Sequence, residues 1–245
     1  MDVDSNGVSG SLPTEIRLLL TLQDLSLYSN ALTGTLPSQL GTLASLEKLL
    51  VYENQLTGPI PTELAQIASL QELALSSNPN LTGTLPTQLG TLSSLTTLDL
   101  HTAKLSGRIP SQLGQISTLE VLSLSDNALT GRLPTQLGQL SSLEELLIDD
   151  NDLSGQIPSE LGQLSTLKRL RIISNDLTGT LPTELGTLSS LEQLILKNNE
   201  LTGTVPSELG RISALVNLLL FHNDLTGTIP PQINQTQVDV QVFNL

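Results

Sequence analysis

The sequence predicts an α/β-type solenoid, and three observations carry that expectation. First, one unit, LxxLxLxxNxLTGxLPxxLGxLxx, recurs along the chain, with its first leucine at Leu22, Leu46, Leu70, Leu95, Leu119, Leu143, Leu167, Leu191 and Leu215. The step is 24 residues, with a single step of 25 between Leu70 and Leu95, where Pro79-Asn80 carries the extra residue. Second, leucine is roughly a quarter of the 245 residues, while aromatic residues are 2%. A core almost without rings must be built from many near-identical aliphatic contacts, and repetition supplies them. Third, each unit holds two extended stretches and one helical turn, all too short to bury their own apolar face. Such units are stable only when stacked.

The elements of one coil follow in order. LxLxx alternates with period 2, the mark of a half-buried strand. Leu25 and Leu27 point inward, and Asp24, Ser26 and Tyr28 point outward. Next comes a polar residue in an apolar frame: Asn30, Asn54, Asn78, Asn127, Asn151, Asn175, Asn199 or Asn223. Its side chain is expected to hydrogen-bond the turn backbone of the neighbouring coil. Leu-Thr-Gly-x-Leu/Ile-Pro is a second extended stretch, closed by a proline that blocks a regular helix. After it, Leu40 and Leu43 stand three apart, the spacing of a 3₁₀ turn.

The whole of 1–245 reads as one solenoid domain of about ten repeats. Residues 1–21 form an incomplete first repeat, 22–236 nine repeats, and 237–245 an edge strand and tail. Met1 and Val3 fall on the two strand leucine positions and Pro13 on the proline. The chain thus begins inside a strand, and the expectation is a fragment that lacks its N-terminal end repeat. Gln237 to Val242 alternates polar residues with valine, as a last strand would.

The motif, as in Leu119 to Ser142 and Leu191 to Ala214, resembles the plant-type leucine-rich repeat (LRR), and the resemblance covers nearly the entire chain. It implies a right-handed superhelix with a parallel β-sheet on the concave face and 3₁₀ turns on the convex side. It also implies a role as an ectodomain that binds a peptide or protein, as in LRR receptor-like kinases and receptor-like proteins. An extracellular or cell-surface location follows from the same resemblance, although no signal peptide opens the chain. The cysteine-containing caps usual in such ectodomains are absent, since the chain has no Cys.

Composition narrows the function. A net charge of -14 argues against nucleic acid, whose phosphates call for Lys and Arg. No apolar run reaches the ~18 residues of a membrane span. Without Cys there is no disulfide framework and no thiolate chemistry. No cofactor or metal motif is present, and the expectation is a non-enzymatic protein with a protein or peptide partner.

The outward strand positions are where a binding surface would depart from the monotony of the frame. The central position reads Ser26, Leu50, Ala74, Asp99, Ser123, Leu147, Arg171, Ile195, Leu219. The next reads Tyr28, Tyr52, Ser76, His101, Ser125, Asp149, Ile173, Lys197, Phe221. Tyr28 and Tyr52 are expected to stack beside Leu50. Leu147, Ile173, Ile195, Leu219 and Phe221 are expected to form an exposed apolar group. With His101, Asp149, Arg171 and Lys197 they make up the candidate ligand-binding face. Glu144 and Glu145 lie opposite Lys168 and Arg169, as lateral ion pairs that contribute little.

Four smaller features complete the reading. Asn80 and Asn234 begin N-x-T sequons, candidate glycosylation sites. Asp126 and Asp150 share one column and Asp152, Asp176 and Glu200 another; this is a solvated acidic ridge first, with a contact for a basic partner or a Ca²⁺ site as minor alternatives. Ala103 replaces the repeat asparagine and threatens to leave turn groups unpaired, unless water fills the gap or the coil changes curvature. Asp99, His101 and Ser125 make a nominal catalytic set, but two strand residues span roughly 6.6 Å, which should keep Asp99 from His101. The rival to peptide binding is ice or carbohydrate binding by outward threonine pairs such as Thr82/Thr84 and Thr202/Thr204, a ladder broken at Pro59, Arg108, Arg132 and Gln156.

Overall fold

The computed structural model describes residues 1, 3–233 and 239–242. Each unit folds into one coil: a strand, a tight turn, a second strand, and a 3₁₀ helix that returns to the start. First strands, from Asp24–Ser26 to Asp239–Gln241, pair in parallel as a ten-stranded sheet in chain order. Register follows the repeat, with Leu122 opposite Leu98 on one side and Leu146 on the other. Second strands form an eight-stranded sheet from Thr57–Gly58 to Asp224–Thr226, and Ser9–Ser11 pairs with Ala31–Thr33 separately. Asp239–Gln241 supplies the last first-sheet strand, where the alternating valines place it. At the other edge the Val3 amide donates to Ser26 O at 3.1 Å, and the Ser26 amide donates to Met1 O at 2.9 Å.

Between the sheets and helices lies one aliphatic core, in which leucines such as Leu49, Leu73, Leu98, Leu122 and Leu146 are fully buried. Every 3₁₀ helix among the described residues starts directly after a proline; Pro110, for instance, holds φ at -66°. Ring closure presets that angle, and the helix stops within five residues. The glycine inside the helix is forced by the next coil. A Cβ at Gly114 would stand 2.2 Å from Gln136 O.

The turn between the strands places one left-handed residue at the same position in every coil. The residue before the asparagine position is left-handed, including Asp126 (φ 55°) and Asp150 (φ 51°). Aspartate tolerates this region better than most residues, so these two acidic positions have a backbone reason. The asparagine then ties two coils together. Asn54 Nδ2 donates to Leu27 O at 3.0 Å, Val51 O at 3.1 Å and Tyr52 O at 3.1 Å. Its Oδ1 accepts from the Leu32 amide at 2.9 Å.

Ala103 breaks that ladder, and no water is needed to satisfy the orphaned amide. The amide that Asn would have served is that of Leu81, which instead donates to Asn78 O at 2.9 Å. The extra residue at Pro79-Asn80 folds the chain back far enough to make this bond. Neighbouring carbonyls are covered as well: Asn78 Nδ2 serves Leu75 O, and Asn127 Nδ2 serves Leu100 O. Insertion and substitution compensate each other.

Candidate functional site

The outward face of the first sheet carries two chemically different ends. At the N-terminal end Tyr28 and Tyr52 stack with ring centroids 4.5 Å apart and planes within 5°. Equal position in successive coils puts the rings in register, and the strand spacing of ~4.8 Å sets their separation. Burial and the nearby Glu53 carboxylate push the Tyr52 phenol above its usual range. Leu50 stands beside them, half-buried, and Lys48 pairs with Glu72 across the next strand at 3.2 Å.

Small residues follow. Ala74 and Ser76 are buried, and the Ser76 hydroxyl donates to Asp99 Oδ2 at 2.8 Å. Asp99 Oδ1 also meets His101 Nδ1 at 2.7 Å. The expected separation of these two fails for a simple reason. Strand rise measures backbone spacing, whereas side chains two apart share a face and lean toward one another. The third member of the nominal set does not join: Ser125 Oγ accepts from the Asp149 amide at 3.0 Å, and among the described residues no hydrogen bond links it to His101.

At the centre Asp149 is 6% exposed and serves as a hub. Oδ1 accepts from the Ile173 amide at 2.9 Å and Oδ2 from Arg171 Nη2 at 2.7 Å. Burial, which removes water from the carboxylate, raises its pKa above the usual value of 3.8; the amide and Arg171 oppose the shift. Arg171 Nε is buried without a partner among the described residues. The C-terminal end differs from expectation. Ile195 is only 8% exposed, and Leu147, Ile173, Leu219 and Phe221 are half-buried, so the apolar group is not an open patch. Neighbouring rungs cover one another along the sheet, and Lys197 Nζ lies 5.2 Å from the Phe221 ring centre.

The lateral pairs form as expected, Lys168 to Glu144 and Arg169 to Glu145, both at 2.7 Å. Reading the register opposite Lys48 by the same rule would have found its partner Glu72. Among the described residues no group of three or more His, Asp or Glu could hold a metal ion, the acidic ridge included. Asn80 is exposed and its Oδ1 accepts from Lys104 Nζ at 3.2 Å; Asn234 lies outside the described residues. On the second sheet the paired threonines do face outward: Thr82, Thr84, Thr202 and Thr204 are all exposed. No helix among the described residues is long and apolar enough to cross a membrane.

Comparison with known proteins places this geometry. The sequence profile described as "Leucine-rich repeat region" matches residues 76–179, and that described as "Leucine Rich Repeat" matches 21–43 and 190–212. A search of curated protein sequences gives no match. Among solved structures, the LRR ectodomain of the plant membrane receptor kinase GASSHO1/SCHENGEN3 from Arabidopsis thaliana, in complex with CASPARIAN STRIP INTEGRITY FACTOR 2, is 42% identical with a TM-score of 0.92. That match covers 94% of this chain and 28% of the receptor chain. The Arabidopsis receptor kinase HAESA, in complex with the peptide hormone IDA and the co-receptor SERK1, is 33% identical with a TM-score of 0.85, over 95% of this chain and 43% of that one. A plant ice-binding protein is 27% identical with a TM-score of 0.79, over 94% and 74%. The chain thus spans less than half the length of these receptor chains. Continuous repeat phase, parallel sheets joined by 3₁₀ turns and the asparagine ladder agree with these matches, and the chain belongs to the leucine-rich-repeat family of the plant type.

Proposed function

We propose that this chain is a non-catalytic binding module, one solenoid over 1–245, whose first-sheet outward face holds a protein or peptide outside the cell. One observation supports the reading most. The frame residues repeat almost unchanged, while the outward columns vary from a tyrosine stack through the Asp149–Arg171 pair to Phe221 with Lys197. Variation on an invariant scaffold is what selection for one partner leaves behind. The receptor kinase HAESA, of the same fold, is known in complex with a peptide hormone. Half-buried apolar side chains supply desolvation with little ordering cost, because neighbouring rungs already fix their rotamers. The proposed contacts are Tyr52, Leu50, Arg171, Leu219 and Phe221.

The test is selection from a displayed random peptide library against the immobilised chain, followed by Tyr52→Ala, Phe221→Ala and Thr204→Ala. Selected peptides should weaken about tenfold or more with either aromatic variant and be untouched by Thr204→Ala. Binders sensitive only to Thr204→Ala would sink the proposal. A second reading, ice binding, draws on the exposed threonine columns and the ice-binding neighbour. Arg108, Arg132 and Gln156 interrupt those columns mid-chain. Thermal hysteresis with the intact chain decides: none at millimolar protein removes this reading.

A further inference from the structure

We propose that a groove beside the second sheet, between Arg108 and Arg132, clamps a carboxylate of an acidic peptide segment. It lies away from the first-sheet face and stands independently of the function proposed for that face.

The column that reads Thr84 in one coil and Thr180 three coils after Arg108 holds arginine twice in succession, at Arg108 and Arg132. That is unexpected in a chain with 10 Lys+Arg against 24 Asp+Glu. Four of the other eight cations, Lys48, Lys168, Arg169 and Arg171, each meet a carboxylate. Among the described residues neither Arg108 nor Arg132 has a hydrogen bond or ion pair, and both are exposed. Two unpaired guanidinium groups in adjacent coils repel each other, and an anion held between them removes that cost.

The surroundings are shaped for such an anion. Each arginine lies along the axis over the glycine of the next coil. A Cβ at Gly131 would stand 3.2 Å from Arg108 Nε, and one at Gly155 would stand 3.2 Å from Arg132 Nε. Glycine at these positions, both at positive φ, lets each side chain lie flat against the next coil. Both arginines line a groove of about 740 Å³, with Pro110, Pro134, Ser111 and Ser154 on its walls and no carboxylate among its lining residues. The adjoining cavity, about 630 Å³, shares Arg132 and has Glu160 as its one carboxylate. The planar guanidinium fork matches a planar carboxylate, and the serine hydroxyls add donors.

The same features select the kind of ligand. Two cations are too few for a polyanion such as nucleic acid, which the net charge of -14 would repel. No aromatic ring lines the groove, so it offers no stacking platform for sugars. A peptide with one or two acidic side chains fits both limits.

The experiment is calorimetric titration of the full chain with the blocked peptide Ac-Gly-Glu-Gly-Glu-Gly-NH2 and with its glutamine counterpart, at low salt. The glutamate peptide should bind about tenfold tighter, and R108Q/R132Q should reduce it to the glutamine level. Arg17→Gln, an exposed arginine far from the groove, should change nothing. Equal binding of the two peptides, or unchanged binding by the double variant, overturns the proposal. So does arginine-dependent binding of a trigalacturonate probe with no binding of the glutamate peptide, which would assign the groove to an acidic sugar. Should circular dichroism show the double variant unfolded, Arg132→Lys decides: a loss of threefold or more supports the fork, and unchanged affinity overturns it.

Discussion

From Asn127 onward every coil is held the same way, and between Ala65 and Asn127 it is not. In the regular coils an asparagine amide reaches back to the previous coil, as Asn151 Nδ2 does to Leu124 O at 3.0 Å, while its Oδ1 takes the Leu129 amide. Glycine in each 3₁₀ helix lets the next helix press against it. At the irregular coil both devices change together. Ala65 stands where its neighbours have Gly41 and Gly90, and Ala103 where they have asparagine. The helices Thr62–Gln66 and Thr87–Thr91 pack less closely than the internal pairs on either side. Thr91 Oγ1 reaches Ala65 O only at 3.4 Å, against 2.6 Å from Thr187 Oγ1 to Gly162 O. One inserted residue loosens the helix side, makes room for a methyl group, and supplies the backbone bond that the missing asparagine would have made. A repeat consensus is therefore a set of linked requirements, each cancelled when its partner is.

The contrast can be broken most forcefully at the helical glycines. Gly114→Ala should cost several kcal/mol, at or above the usual 1–3 of overpacking, roughly, because its Cβ meets backbone and not a side chain able to swing away. Ala65→Gly should cost no more than about 1 kcal/mol, the propensity term alone. Urea denaturation compares the two; similar costs would mean that the two seams are equally tight.

Next comes the asparagine ladder. Asn151→Ala should destabilise by about 1–3 kcal/mol, since the Leu129 amide loses its acceptor in a buried site. Ala103→Asn should gain nothing, because the Leu81 amide is already bonded to Asn78 O. A stabilisation of 1 kcal/mol or more, roughly, from Ala103→Asn would show that the insertion does not compensate.

Asp149 offers a smaller, pH-dependent effect. Its folded pKa lies above 3.8, so the unfolded chain releases this proton first as pH rises. Stability from this group is therefore greatest below 3.8 and declines as pH rises through the folded value. Relative to Asp149→Asn, the wild type should gain stability as pH falls from neutral toward 4, read as the difference between two denaturation series. A difference that stays flat, or shrinks on acidification, would show that Arg171 outweighs burial. The smallest effect belongs to the exposed pair of Glu145 and Arg169: Glu145→Gln should change stability by less than about 1 kcal/mol and lose even that in high salt.

Much of the fold was legible because the repeat states it many times. Strand, turn, second strand and 3₁₀ turn follow from Leu25, Asn30, Gly34, Pro37 and Leu40, and every later coil confirms the phase. The tyrosine stack and the Lys168 and Arg169 pairs were equally legible, because residues 24 apart are neighbours. What could not be read depends on side-chain reach across positions that are not 24 apart. Arg171 finds Asp149 by a diagonal of 22 residues, and His101 bends to Asp99 within its own strand. Burial of Ile195 was hidden for a different reason: its register neighbours 24 residues away, Arg171 and Leu219, are large enough to cover it, which position alone does not reveal.

The central functional claim, that the first-sheet face and not the threonine face takes the partner, is tested most directly by carbene footprinting of the chain with and without a saturating selected peptide. Protection should fall on Tyr52, Arg171, Leu219 and Phe221, with Thr180, Thr202 and Thr204 labelled as in the free protein. Protection confined to those threonines, with the first-sheet residues unchanged, would contradict it.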